Sequence, residues 1–191
     1  LRLSTPAKLA TRSSETFFGA LPEGDPMPAL RFAFLAELCA VAGLFIALVP
    51  IALLFAPWLA TAVVDDAALR ATLGRALFCA IPGFALVMVV THAAHGVGLD
   101  LGARRLGLGR RGRGLRFGLY SCGWVLVTLP LGLALVAVGD GLGAALKTAP
   151  LSLTVPARAA RAHLMGVHRL GEAQAQVAAR CAILVSMGAL A

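Results

Sequence analysis

Residues 102–116 read GARRLGLGRRGRGLR and place Arg104, Arg105, Arg110, Arg111, Arg113 and Arg116 within one short stretch. Apolar runs flank it on both sides, residues 76–95 before it and 117–138 after it, each long enough to cross a bilayer core of about 30 Å at 1.5 Å per residue. A cluster of arginine between two such runs is retained on the cytoplasmic side during insertion. That placement orients the rest of the chain: an all-α, polytopic transmembrane helical bundle with its N-terminus in the cytoplasm.

Composition agrees. The chain is 59% hydrophobic and 14% charged, against about 25% charged in an ordinary soluble domain. The net charge of +8 would suggest nucleic acid in a soluble protein. Here the arginines flank apolar segments and no aromatic residue interleaves with them, so the stacking platform of a single-strand binder is missing. Anionic lipid headgroups are the expected partner, and nucleic acid is not. Cys39, Cys79, Cys122 and Cys181 lie far apart with no CxxC pair, so they read as small hydrophobes rather than as a zinc motif.

Taken in order, residues 1–31 form a polar cytoplasmic lead and residues 32–191 the transmembrane domain. Within the lead, ETFFGAL (15–21) predicts a short interfacial helix that presses Phe17, Phe18 and Leu21 into the headgroups. Pro22, Pro26 and Pro28 make the following stretch a linker. The first span covers residues 32–55, ended near Pro50 and Pro57, with Trp58 at the far interface. Asp65, Asp66, Arg70 and Arg75 read as a short outer loop. Residues 76–95 are the second span and 117–138 the third, where Gly118, Ser121 and Gly123 invite close approach by another helix. Gly139, Asp140 and Gly141 suit a tight turn. Residues 142–157, with Lys147, Pro150 and Pro156, are a poor membrane helix, spanning under cover of neighbours or re-entrant. From 158 to 172 the spacing predicts one amphipathic helix with Arg158, Arg161, His168, Arg169 and Glu172 on one face and Ala160, Leu164 and Val167 on the other. A fifth span, truncated, starts near Cys181; both chain ends look trimmed, and no cleavable signal peptide is visible in the first 30 residues.

With this layout drawn, the chain resembles the Yip (Ypt-interacting protein) family of polytopic membrane proteins. The resemblance rests on Phe17, Phe18, Gly24 and Pro26 leading into ALRFAF (29–34), on the His, Gly and Arg stretch 95–114, on LRFGLYSCGW (115–124), and on GVHRLGEAQA (166–175). The proline usual after the third-span tyrosine is absent nearby, and the fourth span is unusually polar. The resemblance implies about five spans and a non-enzymatic role in organising membrane or scaffolding partners, which in eukaryotes are Rab-type GTPases. The preference for Arg over Lys and the Ala, Gly and Leu bias point to a GC-rich bacterial genome and its inner membrane, where the GTPase partner does not carry over.

Few constellations carry chemistry. Gly107, Gly109 and Gly112 spell GxGxxG, but the dinucleotide motif needs a preceding strand, and here a membrane helix precedes it. His92 and His95 share one helix face, yet a metal site needs a third ligand from another helix, so no metal, cofactor or catalytic group is expected. Glu37 lies inside the first span, where a carboxylate costs about 2.5–3.5 kcal/mol near the helix centre. Antiparallel pairing of the first two spans brings His92 or His95 to its depth, so Glu37 is expected to hydrogen-bond one of them or to snorkel to an arginine, clamping the two helices. The residues singled out are therefore Glu37, His92 and His95 inside the bundle and, facing lipid or partners, Arg104, Arg105, Arg110, Arg111, Arg113, Arg116, Arg158, Arg161 and Arg169. Other membrane subunits or further copies of the chain are the expected protein partners. Competing readings are an accessory subunit of a larger membrane complex, energy-transducing or secretory, and a small transporter using Glu37 and Lys147, which would need the repeats or paired broken helices not seen here.

The cytoplasmic placement of the arginine stretch is testable. In a background without the four native cysteines, Gly109→Cys should resist a membrane-impermeant thiol reagent in intact cells and react after permeabilisation; labelling from outside would invert the topology.

Overall fold

Helix boundaries follow the punctuation of the sequence more closely than the apolar runs do. The computed structural model describes residues 4–107, 112–138 and 142–190. Among them are eight helices and no strand: α1 (Ser4–Arg12), α2 (Ser14–Gly19), α3 (Met27–Phe55), α4 (Pro57–Asp65), α5 (Ala67–Arg105), α6 (Arg113–Val138), α7 (Leu142–Gly166) and α8 (Glu172–Gly188). Pro28 opens α3 rather than breaking it, because its missing N–H falls in the first turn, where no intrahelical acceptor exists. Pro57 starts α4 in the same way.

The expected outer loop at Asp65, Asp66, Arg70 and Arg75 is instead a tight junction: Asp65 ends α4, and Arg70 and Arg75 already lie in α5. Asp66 caps that helix, its carboxylate accepting from the amides of Ala68 at 2.8 Å and Leu69 at 3.0 Å. Arg70 donates back to the carbonyls of Val63 and Val64, at 3.1 and 2.8 Å, where α4 ends. Its 39 residues make α5 about 58 Å long at 1.5 Å per residue, far more than one span, and Pro82 does not interrupt it.

The expected helix over 158–172 also divides. It ends at Gly166; Arg169 takes a left-handed φ of 57°, and the Leu170 amide reaches back to the Leu164 carbonyl at 3.2 Å. A new helix starts at Glu172, nine residues ahead of the predicted final span. Residues 142–157 belong to the unbroken backbone of α7, so the chain does not turn back on itself there. The 139–141 turn, Arg110 and Arg111 lie outside the described residues, as does the side chain of Lys147.

The lead is folded onto the bundle. Phe18 and Leu21 are buried, not inserted among headgroups. Phe18 stacks at 4.6 Å from Phe117 and 5.5 Å from Trp124, and the Trp124 indole donates to the Ala10 carbonyl. An aromatic ring gains more area against other rings than in a wet interface, and each such pair adds about 0.5–1.5 kcal/mol.

Glycine sets the distance between helices. A Cβ at Gly96 would stand 1.9 Å from the Gly114 carbonyl oxygen, and one at Gly118 2.1 Å from that of His92, so α5 and α6 touch backbone to backbone. Gly98 and Gly102 do the same against Ala182 and Ala178 of α8, at 2.5 and 2.7 Å. Both seams are small residues four apart, the spacing that lets helix backbones approach.

Burial runs opposite to hydropathy. Two stretches are long and apolar enough to cross a membrane, Met27–Ile46 and Ala67–Arg105, and in the latter only 11% of the most apolar window is buried. Phe78, Ile46 and Val64 are at least 70% exposed, and Phe84, Leu86 and Val90 are exposed as well. Cys39 and Cys79 share this surface rather than packing inside.

The glycine seam yields a stability prediction. Gly102→Ala forces a Cβ onto the α8 backbone and should cost on the order of 1–3 kcal/mol in detergent-solubilised unfolding. Gly74→Ala, with nothing within 4 Å of the added carbon, should stabilise by up to about 1 kcal/mol through helix propensity. Equal effects at the two positions would refute the seam.

Candidate functional site

Three helices bring polar side chains to one buried point. Glu37 on α3 is fully buried, as the alternation of Ala33, Ala36 and Ala40 on the same inward face requires. Its Oε1 lies 3.4 Å from His92 Nε2 on α5. Cys122 on α6 completes the group: one donor atom each from Glu37, His92 and Cys122 fall within 4.8 Å of one another. Neither Glu37 oxygen accepts a hydrogen bond, and neither does His92 Nε2 find one. Of the two histidines weighed from the sequence, His92 therefore meets Glu37. His95 turns instead toward the Phe117 ring, 6.4 Å away. Among the described residues no arginine reaches Glu37.

Ser121 fixes the outer side of the imidazole. Its Oγ donates to the Gly118 carbonyl at 2.6 Å and stands 3.0 Å from His92 Nδ1. A hydroxyl has one proton; with that proton on the carbonyl, Nδ1 carries the hydrogen and donates to Ser121. This tautomer, assigned from the hydrogen-bond network, leaves the Nε2 lone pair aimed at Glu37.

A second buried acid holds the arginine stretch in place. Asp100, 4% exposed near the end of α5, accepts the Gly112 amide on Oδ2 and the Gly114 amide on Oδ1, both at 2.9 Å. It thereby caps α6 from another helix, where unpaired N–H groups and the helix dipole favour a negative charge. His168 Nε2 stands 3.3 Å from Oδ1. His163 packs its ring 5.3 Å from that of His168 and 5.0 Å from that of Phe117, with Nδ1 3.1 Å from the Phe18 carbonyl. His163 lies outside both apolar stretches; burial pushes its pKa down to about 4, so the ring is neutral at neutral pH. Gly107 and Gly112 take left-handed φ values of 77° and 78°, which explains two of the three glycines in the GxGxxG lettering as loop hinges.

The arginines separate into two groups. Arg104, Arg105 and Arg169 are exposed, and so are Arg158, 2.6 Å from Glu15, and Arg161, 2.7 Å from Glu172. Such exposed pairs contribute about 0–1 kcal/mol. Arg113 and Arg116, expected to face lipid or partners, turn toward the lead instead: Arg113 pairs with Glu23, and Arg116 donates to the Pro22 carbonyl and sits 5.9 Å over Tyr120. Buried His168 likewise leaves the basic face on which periodicity placed it.

Asp100, Ser121, Cys122 and His163 were not found by sequence reasoning. Asp100 had a signal, being the lone acid between residues 67 and 139. For the others no pattern along the chain encodes a junction of three helices. Comparison with family models, with curated proteins and with solved structures finds no match to this chain.

Asp100→Ala removes the acceptor of two amides and the carboxylate facing His168. It should lower unfolding stability by about 1–3 kcal/mol, the cost of leaving buried amides without their acceptor. Asp100→Asn, which keeps one acceptor oxygen, should cost less. Wild-type stability in Asp100→Ala would show that the anchor is dispensable.

Proposed function

We propose that this chain is a non-catalytic integral membrane protein of Yip type that organises membrane or scaffolds partner proteins. Its bundle crosses the bilayer about five times, with the N-terminus and the arginine stretch on the cytoplasmic side of a bacterial inner membrane. One observation supports the membrane part of this reading: of the two described stretches apolar enough to cross a bilayer, Ala67–Arg105 buries only 11% of its most apolar window and Met27–Ile46 only 39%. In water, several exposed apolar side chains along α3, α4 and α5 would form a patch far larger than a soluble monomer tolerates. In hydrocarbon the same surface costs nothing, and the helices already satisfy their own backbone groups.

The scaffolding part follows from the Yip-like segments and from the polar groups present. Glu37, Asp100 and the histidines lie between helices, and among the described residues two open grooves lie beside Thr11 and beside Pro22. The alternative is an accessory subunit of a larger membrane complex. It draws on the outer face of α8, where Ile183, Leu184 and Met187 are exposed opposite the Ala178 and Ala182 seam.

Charging the exposed surface separates a membrane protein from a soluble one. Phe78→Asp combined with Phe84→Asp should sharply reduce the carbonate-resistant membrane fraction, because each acid adds roughly 2.5–3.5 kcal/mol to insertion near a helix centre. A soluble protein would fractionate unchanged and become more soluble. Purification in a mild detergent then distinguishes the two functional readings: a fixed stoichiometric set of co-purifying subunits supports the accessory role and overturns the free-standing scaffold.

A further inference from the structure

We propose that Glu37, His92 and Cys122 form a binding site for a zinc-class divalent transition-metal ion that ties α3, α5 and α6 together. The site does not depend on the scaffold reading. Four features converge on it. First, the donors are an oxygen, a nitrogen and a sulfur, a set that suits zinc and discriminates against magnesium and calcium, which take oxygen alone. Second, their atoms lie within 4.8 Å of one another. Metal–ligand bonds of about 2.0–2.3 Å in a tetrahedron require ligands roughly 3.3–3.5 Å apart. His92 Nε2 and Glu37 Oε1, at 3.4 Å, already have that spacing, and a rotamer adjustment of Cys122 closes the third side.

Third, Glu37 is fully buried and neither oxygen makes a hydrogen bond of good geometry, the weak thiol donor of Cys122 being its side-chain partner. A buried carboxyl group held only by a weak donor is costly in its charged form. A dication with one carboxylate, one thiolate and one neutral imidazole has no net charge, which removes that cost. Coordination takes the thiolate and carboxylate forms, so affinity for the ion rises with pH. Fourth, Ser121 accepts from His92 Nδ1 and leaves Nε2 bare. Metal-bound histidine is oriented in this way by a polar group on its other nitrogen.

Three protein ligands leave a fourth position, which a water fills. Along the sequence His92 has no partner ligand nearby; Glu37 and Cys122 come from helices 55 residues before and 30 residues after it.

The test uses the full chain purified in detergent, stripped of metal and titrated with Zn2+ and with Co2+. We expect one equivalent of each to bind, competitively, and Co2+ to give a thiolate-to-metal charge-transfer band. Cys122→Ser should abolish the band, whereas Cys39→Ser should leave it intact. Zn2+ should raise the unfolding midpoint of the wild type and not that of Glu37→Gln. Ser121→Ala, which keeps all three ligands, should weaken affinity roughly 10–100-fold. A wild-type protein that binds Co2+ without a thiolate band would overturn the site, and so would a band that survives Cys122→Ser. Both outcomes can be read even if Glu37→Gln fails to fold.

Discussion

Backbone contact between helices is the constraint on which this structure depends. Along α5, Gly96 lies against Gly114 and Gly118 of α6, while Gly98 and Gly102 lie against Ala182 and Ala178 of α8. No side chain separates the helices there, so their axes come as close as two helices can. Dispersion between well-packed atoms does not require water, and it holds in a lipid environment where the hydrophobic effect between helices is absent. One helix thus serves two neighbours through two faces, and the rest of the bundle is positioned relative to it. Small residues have little side-chain entropy to lose, which favours this contact further.

The seams also bring acids into play. Once α5 touches α6 at Gly96 and Gly114, Asp100 is one turn from the start of α6 and can accept its first amides. Once α3 lies in the groove of the same pair, Glu37 faces His92 and Cys122. The two acids meet their burial differently. Asp100 has two N–H donors and a histidine at hand, so its charge is compensated within the protein. Glu37 has no hydrogen-bond donor of good geometry, and a cation is the natural complement.

Polarity along the bundle is inverted relative to a soluble protein. The buried aromatic cluster of Phe18, Phe117 and Trp124 sits at the end where the polar lead folds back, and the apolar reach of α3, α4 and α5 leaves Ile46, Val64 and Phe78 exposed. In water this arrangement would give up much of the driving force available to the chain. It becomes reasonable when the apolar reach has hydrocarbon as its solvent. The lead then acts as a cap on the polar end, held by Arg113 to Glu23 and by Arg116 to the Pro22 carbonyl.

The sequence by itself determined the helical class, the apolar character of the first two long helices, and the proximity, though not the expected hydrogen bond, of an acid in α3 and a histidine in α5, because hydropathy, period and antiparallel depth are properties of the chain read locally. It also marked glycines such as Gly118 and Gly123 as places of close approach. Only the tertiary structure decided where helices begin and end at Asp66, Gly166 and Glu172, since caps and left-handed residues compete there with long apolar runs. It alone decided which histidine meets Glu37, because His92 and His95 share a face and differ only in which neighbouring helix each reaches. It turned Arg113 and Arg116 inward, as local periodicity cannot register a lead that folds back some 90 residues earlier in the chain. Asp100, Ser121 and Cys122 acquire roles only where three helices meet, and such a junction has no period along the sequence.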